Sequence, residues 1–244
     1  MAATNCPNCE AAMPDGAGYC ASCGQAALGD NSFGHFLHQF LGDYFTFDSK
    51  ITRSLNPLLF APGELTLEYM RGRRQRYIPP LRLFIFLSVL FFLVVGWGKS
   101  ADIDGEDFIV REQLFWDNFF ASVLPKLFFL FLPLFAGLVH LLHREKGGTF
   151  VKPFIFSAHF HSFVFLVFGV YGLVSKLLVK GGLVAVNQVL VVVLLLWVLV
   201  YVCLALRRAF KRSAGRQVLA FLALLVLYFV VLVVGSLGAV WALA

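Results

Sequence analysis

Five stretches of almost unbroken apolar residues, 81–97, 119–142, 154–178, 183–206 and 218–241, dominate this chain. Each reaches or approaches the roughly 20 residues that a helix needs to cross a bilayer. In a bilayer, backbone N–H and C=O groups must be satisfied within the segment, and a helix does that. With 59% hydrophobic residues, 14% charged residues and a mean hydropathy of +0.80, the chain lies outside soluble globular usage. The expected fold is an all-α polytopic membrane protein with five transmembrane helices over 81–244. The first span is short; it borrows Tyr77 and Ile78 at one interface and ends on Trp97 at the other.

Charge sets the expected orientation. Arg71, Arg73, Arg74, Arg76 and Arg82 crowd the entrance of the first span, whereas Asp102, Asp104, Glu106, Asp107, Glu112 and Asp117 follow its exit. Residues 143–152 and 207–216 are basic, and the turn carrying Lys176 and Lys180 is short. By the positive-inside rule the amino end is cytosolic and Ala244 lies outside, with fifteen of the 20 Lys and Arg residues inside. Residues before Phe33 are polar and cysteine-bearing, so no signal peptide is expected and the first span directs insertion.

Ahead of the spans stand two close cysteine pairs, Cys6-Pro7-Asn8-Cys9 and Cys20-Ala21-Ser22-Cys23. Two residues inside each pair let a tight turn bring both thiolates onto one ion, and the intervening residues suffice for a short hairpin. The expectation is a zinc ribbon over 1–28, with Cys6, Cys9, Cys20 and Cys23 holding structural Zn2+. Four thiolates leave no position for water, which argues against a catalytic ion. Gly24 is placed to take a positive φ and turn its N–H toward a thiolate, with Gly16 and Gly18 supplying the hairpin turn. Glu10 occupies the place after Cys9 that corresponds to Gly24, so the first turn is looser or strained by roughly 1 kcal/mol. A disulfide reading would need an oxidising compartment. Cys203, inside an apolar run, reads as a small packed hydrophobe.

Between head and membrane, over 29–80, Phe33, Phe36, Leu37, Phe40, Leu41, Tyr44 and Phe45 recur at spacings of three and four, one apolar stripe on a surface helix. Phe36, Phe40 and Tyr44 would orient the head at the membrane interface. Asn56-Pro57 disfavours continuous helix, Pro62-Gly63 makes a turn, and residues 64–76 form a short helix ending in the arginine cluster. Arg73, Arg74, Arg76 and Arg82 read as topology determinants and as candidate sites for lipid phosphate or a partner's carboxylates.

The run 41–87 carries Gly42-Asp43-Tyr44-Phe45-Thr46-Phe47-Asp48-Ser49-Lys50, then Pro62-Gly63 with Glu68-Tyr69, then Gly72-Arg73-Arg74-Gln75-Arg76-Tyr77-Ile78-Pro79-Pro80-Leu81-Arg82. In these blocks it resembles a bacterial membrane family catalogued as domain of unknown function 3667. That family's double Cys-x-x-Cys ribbon ends in Cys-Gly-Gln, matched by Cys23-Gly24-Gln25; Glu10 departs from the Gly usual in the pattern. The resemblance covers about the first 90 residues and implies a membrane location and a ribbon, and no reaction.

Chemistry is sparse in the membrane body. After Asp117 the one acidic residue is Glu145, so paired catalytic carboxylates and carboxylate relays are excluded; no nucleophile triad or glycine-rich phosphate loop is present. His140 and His143 share a helix face, and His159 and His161 lie at similar depth. A second metal site from His140, His143 and His159 is therefore conceivable, although His159 and His161 point to opposite sides of their helix and hydrogen-bonded interface histidines are the simpler reading. Residues 1–30 contain no Lys or Arg, which excludes a nucleic-acid face. The function expected is a non-enzymatic bacterial inner-membrane protein whose ribbon recruits or senses a cytosolic protein partner. Membrane lipids, and a second copy of the chain, would contact the body. The alternative is lipid or small-solute handling through the five helices; an intramembrane metalloenzyme ranks third.

Overall fold

The computed structural model describes residues 4–14, 16–26, 50–96, 124–143, 149–210 and 213–243. The apolar stripe with Phe36, Phe40 and Tyr44 lies outside these residues, as does the acidic segment after Trp97. A two-stranded antiparallel ribbon opens the described chain, with β1 (Thr4–Asn5) paired to β2 (Ala12–Met13) in the register Thr4↔Met13 and Asn5↔Ala12. Two short helices follow, α1 (Lys50–Phe60) and α2 (Glu64–Met70). Five apolar helices complete it: α3 (Pro80–Gly96), α4 (Leu124–Leu142), α5 (Val151–Lys180), α6 (Val184–Ala209) and α7 (Ala214–Leu243).

The five apolar helices fall on the five hydrophobic runs. Three, α5, α6 and α7, are long and apolar enough to cross a membrane; α3 and the stretch Leu127–Leu142 of α4 are shorter. At 1.5 Å per residue the 17-residue α3 measures about 26 Å, below the usual hydrocarbon thickness.

Helix directions follow from which residues meet. Phe84 lies against Phe165, Gly169 against Phe91 and Gly172 against Val94, so α3 and α5 run parallel. Phe128 meets Phe165 while Phe135 stacks on Phe160, so α4 runs antiparallel to α5. Phe163 stacks on Tyr201 and Phe156 meets Phe210, which makes α6 antiparallel to α5 as well. Tyr228 meets Phe135 and Gln217 meets His143, aligning α7 with α3 and α5. This alternation puts the starts of α3, α5 and α7 and the ends of α4 and α6 at one end of the bundle. Lys176 is at the opposite end, donating to the Val94 carbonyl in the last turn of α3 at 2.7 Å.

Helix α5 is the axis. Every residue from Phe154 to Phe163 is buried, among Leu83, Phe84, Phe135, Val139 and Leu206. By contrast Val189, Leu196, Val200, Leu219, Val226 and Phe229 leave α6 and α7 with exposed apolar faces, the condition of helices whose solvent is lipid.

The short helices differ from the sequence expectation in two ways. Helix α1 continues through Pro57 and ends one turn later, where the orphan Leu58 carbonyl accepts a 2.6 Å hydrogen bond from the Tyr201 hydroxyl on α6. Helix α2 stops at Met70 rather than Arg76. Gly72 takes φ 89°, and the amides of Gly72 and Arg73 close on the carbonyls of Tyr69 and Glu68, a Schellman end. Between α1 and α2, Gly63 at φ 80° lies against α6 so closely that a Cβ there would stand 2.7 Å from the Ala205 carbonyl oxygen. The α1–α2 pair is thus stapled onto the bundle end.

Candidate metal centre and its docking face

Each Cys-x-x-Cys forms the tip of a small turn. In the first, Glu10 N–H donates to the Cys6 carbonyl and Cys6 N–H to the Ala11 carbonyl, both at 2.8 Å. The second repeats the pattern, Gly24 N–H to Cys20 C=O and Cys20 N–H to Gln25 C=O, again at 2.8 Å. The residue after each pair must take a left-handed conformation, and Glu10 (φ 64°) and Gly24 (φ 70°) do. Glu10 carries the strain expected of a non-glycine there, about 1–2 kcal/mol. Gly16 turns between the two halves at φ 80°. The Gly24 amide closes its turn onto the Cys20 carbonyl rather than onto sulfur. The amides that favour the Cys20 thiolate are those of Cys23 and Ser22, which pull it down to about 6.

Cys6, Cys9, Cys20 and Cys23 bring their four sulfurs within 4.8 Å of one another. The Cys6–Cys23 and Cys9–Cys20 separations are 3.7 and 3.6 Å. A tetrahedral ion with bonds of about 2.3 Å has sulfur–sulfur edges of about 3.8 Å, so the set fits such a site. All four thiols are free of disulfide bonds. The Ala11 amide favours the Cys9 thiolate, but desolvation and the thiols of Cys23, Cys20 and Cys6 outweigh it and push Cys9 up to about 12. As thiolates, the four would need a cation to share their charge, and their spacing could hold one. Met13 and the buried Cys6 and Cys20, with Ala11 and Ala17, make the only apolar packing described in this head, too little to fold it alone.

Gln25 is the residue that sequence reasoning left without a role. It is 2% exposed, although it follows an exposed turn. Its Nε2 donates to the Gly72 carbonyl at 2.6 Å, and its Oε1 accepts from the amides of Arg74 and Gln75 at 3.1 and 3.3 Å. These are the backbone groups exposed where α2 ends in its glycine turn. The backbone carbonyl of Gln25 closes the second cysteine turn, so the candidate metal ligands and the docking contact share one short segment. Its available signal was the Cys-Gly-Gln signature itself.

The arginines divide among different tasks. Glu68, buried in α2, accepts from Arg71 at 2.9 Å and Arg73 at 2.8 Å. Burial by itself would raise the Glu68 carboxyl, but hydrogen bonds and charge from Arg73 and Arg71 outweigh it and hold it below the ordinary carboxylate range. Arg73 also lies 3.9 Å from Glu10 on the ribbon, and Glu64 lies 3.7 Å from Arg208 on α6. Arg74 sits over the Tyr69 ring at 5.2 Å and Arg76 over Tyr77 at 5.8 Å. Arg82, half-buried at the start of α3, keeps Nη2 buried without a hydrogen-bond partner.

The histidines are engaged separately. His159 Nδ1 is 3.0 Å from the Thr66 hydroxyl, tying α5 to α2. His161 Nδ1 faces the Ser157 carbonyl at 2.8 Å and therefore carries the proton, leaving Nε2 to accept from the Tyr228 hydroxyl at 2.8 Å. Gln217 Nε2 stands 3.4 Å from His143 Nε2. His140 and His143 border a cavity of about 140 Å³ with Met70, Thr149, Lys152, Pro153 and Phe210, and His159 does not line it. Among the described residues, the one group of three or more close metal-ligating side chains is the four cysteines. Cys203 is half-buried in α6.

No curated protein and no solved structure matches the chain. One family model does, over residues 48–92, which run from α1 through the glycine turn into α3. Those are the helices and loop that receive the ribbon. Over that segment the chain is similar to the family described as Protein of unknown function (DUF3667).

Proposed function

We propose that the chain is a non-enzymatic, multi-pass inner-membrane protein whose zinc-loaded head presents a fixed surface to a cytosolic protein partner. The observation that carries this reading is the three-bond grip of Gln25 on the Gly72–Gln75 turn. A head held this way has a set distance and orientation from the bilayer, which lowers the entropic cost of engaging a partner. Zinc suits four thiolates at these separations. Tyr19, 70% exposed on the ribbon, offers an aromatic anchor of the type that dominates protein interfaces. The basic residues gathered at the ribbon's end of the bundle support a cytosolic head and an external carboxy terminus, with all five apolar helices crossing.

The test is photo-cross-linking in cells from a reactive residue placed at Tyr19. The expected result is one discrete adduct that disappears when Cys20→Ser removes a ligand and weakens when Gln25→Ala frees the head. An adduct indifferent to both changes, or none at all, overturns the proposal. Lipid scrambling or solute flux by the reconstituted chain would favour the transport reading instead.

A further inference from the structure

A cavity of about 520 Å³ opens where the ribbon meets the membrane-proximal helices, lined by Asn8 and Cys23 of the ribbon, Lys50 and Arg53 of α1, and Gln75 and Arg76 of the turn. Its volume falls in the range of small-molecule sites. Among the described residues, three lining side chains are cationic and none is a carboxylate, while Cys23 belongs to the candidate metal centre. Lys50 and Arg53 are three apart and share one face of α1.

The neighbouring arginines each face a carboxylate: Arg71 and Arg73 share Glu68, and Arg208 faces Glu64. Among the described residues the cavity cations face none. Lys50 Nζ donates to the neutral Gln75 Oε1 at 3.1 Å, and Arg53 makes no hydrogen bond or ion pair among the described residues. Arg76 has the Tyr77 ring but no carboxylate partner among them. Converging cations repel one another, and an anion that bridges them removes that cost. Two guanidinium forks beside an ammonium match the oxygens of a phosphoryl group.

We infer that this cavity binds a phosphoryl group carried on an organic body, with Arg53, Arg76 and Lys50 as its ligands. This goes beyond the partner-docking reading and does not depend on it. Two of the walls come from the ribbon, so the site is complete only when Gln25 docks the head. The phosphoryl group has two sources, an anionic phospholipid headgroup at the bilayer edge or a soluble phosphate compound.

The experiment uses the full chain in detergent, with native mass spectrometry of added phosphatidylglycerol in one arm and calorimetry with inorganic pyrophosphate in the other. Arg53→Gln/Arg76→Gln is compared with Arg207→Gln, which removes an exposed cation outside the cavity. If the site takes lipid, phosphatidylglycerol retention falls at least fivefold in the double variant and less than twofold in Arg207→Gln. If the source is soluble, pyrophosphate affinity shows that pattern and lipid retention does not. Arg53→Lys/Arg76→Lys keeps the charge without the forks and should retain intermediate binding, and unchanged metal content confirms that each variant is folded. Equal binding of both probes by all variants, equal loss in Arg207→Gln, or no binding by the unaltered chain overturns the inference.

Discussion

Gln25 and Gly72, 47 residues apart, are joined by a buried 2.6 Å hydrogen bond from side-chain amide to backbone carbonyl. Cutting it should separate two properties that the ribbon otherwise combines. Gln25→Ala removes the side chain while leaving the carbonyl that closes the second cysteine turn, so metal is retained. The amides of Arg74 and Gln75 lose their acceptor, and hydrogen exchange at both should accelerate by roughly 10-fold or more, consistent with about 1–3 kcal/mol for a buried polar group left unpaired. Unchanged exchange would mean that the head does not dock through this residue.

Metal retention should depend on backbone conformation at the second turn. Gly24 holds φ 70° with open space around the position a Cβ would take, so any penalty there comes from the backbone alone. Gly24→Asn should keep metal, since Asn tolerates this region, whereas Gly24→Val should speed release to a chelator by about tenfold. Cys20→Ser should lower metal content more severely than either, read by elemental analysis.

Gly63 is predicted to be intolerant for two independent reasons. It combines φ 80° with a 2.7 Å approach to the Ala205 carbonyl oxygen. Gly63→Ala should destabilise the detergent-solubilised chain by more than about 1 kcal/mol, seen as a lower unfolding midpoint. Gly137→Ala, in α4 with nothing near its would-be Cβ, should be neutral or slightly stabilising.

Acid should loosen the arginine turn through Glu68. Its folded-state pKa lies below the ordinary 4.5, so its contribution is fully present above that value and is lost as pH falls through the lowered one. In an acid titration of thermal stability, Glu68→Gln should be less stable at neutral pH and flatter on the acid limb. Parallel curves for both proteins would contradict the assignment.

Inside the bundle, Tyr228→Phe would leave His161 Nε2 without the hydroxyl that it accepts from. With Nδ1 committed to Ser157, the ring cannot re-pair by changing tautomer. A loss of about 1–3 kcal/mol in unfolding free energy is expected. Adding His161→Phe in the same chain should recover part of it.

The apolar helices were readable because length and hydropathy report directly on a bilayer solvent, and all five begin and end within a few residues of the hydrophobic runs. The cysteine centre was readable because ligand spacing is local geometry. What escaped was long-range. Nothing near Leu58 reveals that Tyr201, on a helix far along the chain, donates to its carbonyl and holds the end of α1. The arginine run reads as one basic surface until Glu68 is seen to occupy two of its members. Gln25 reads as a polar residue at the end of a motif, since nothing local to it reveals that the acceptor and donors it satisfies belong to Gly72, Arg74 and Gln75.

That grip bears on how truncated versions of the chain should be interpreted. Excising the cysteine-bearing head would strand one carbonyl and two amides on the remaining protein and take away Glu10 from beside Arg73. A phenotype from such a deletion would mix the absent head with a damaged membrane edge, so the single replacement Gln25→Ala is the cleaner instrument for asking what the head itself contributes.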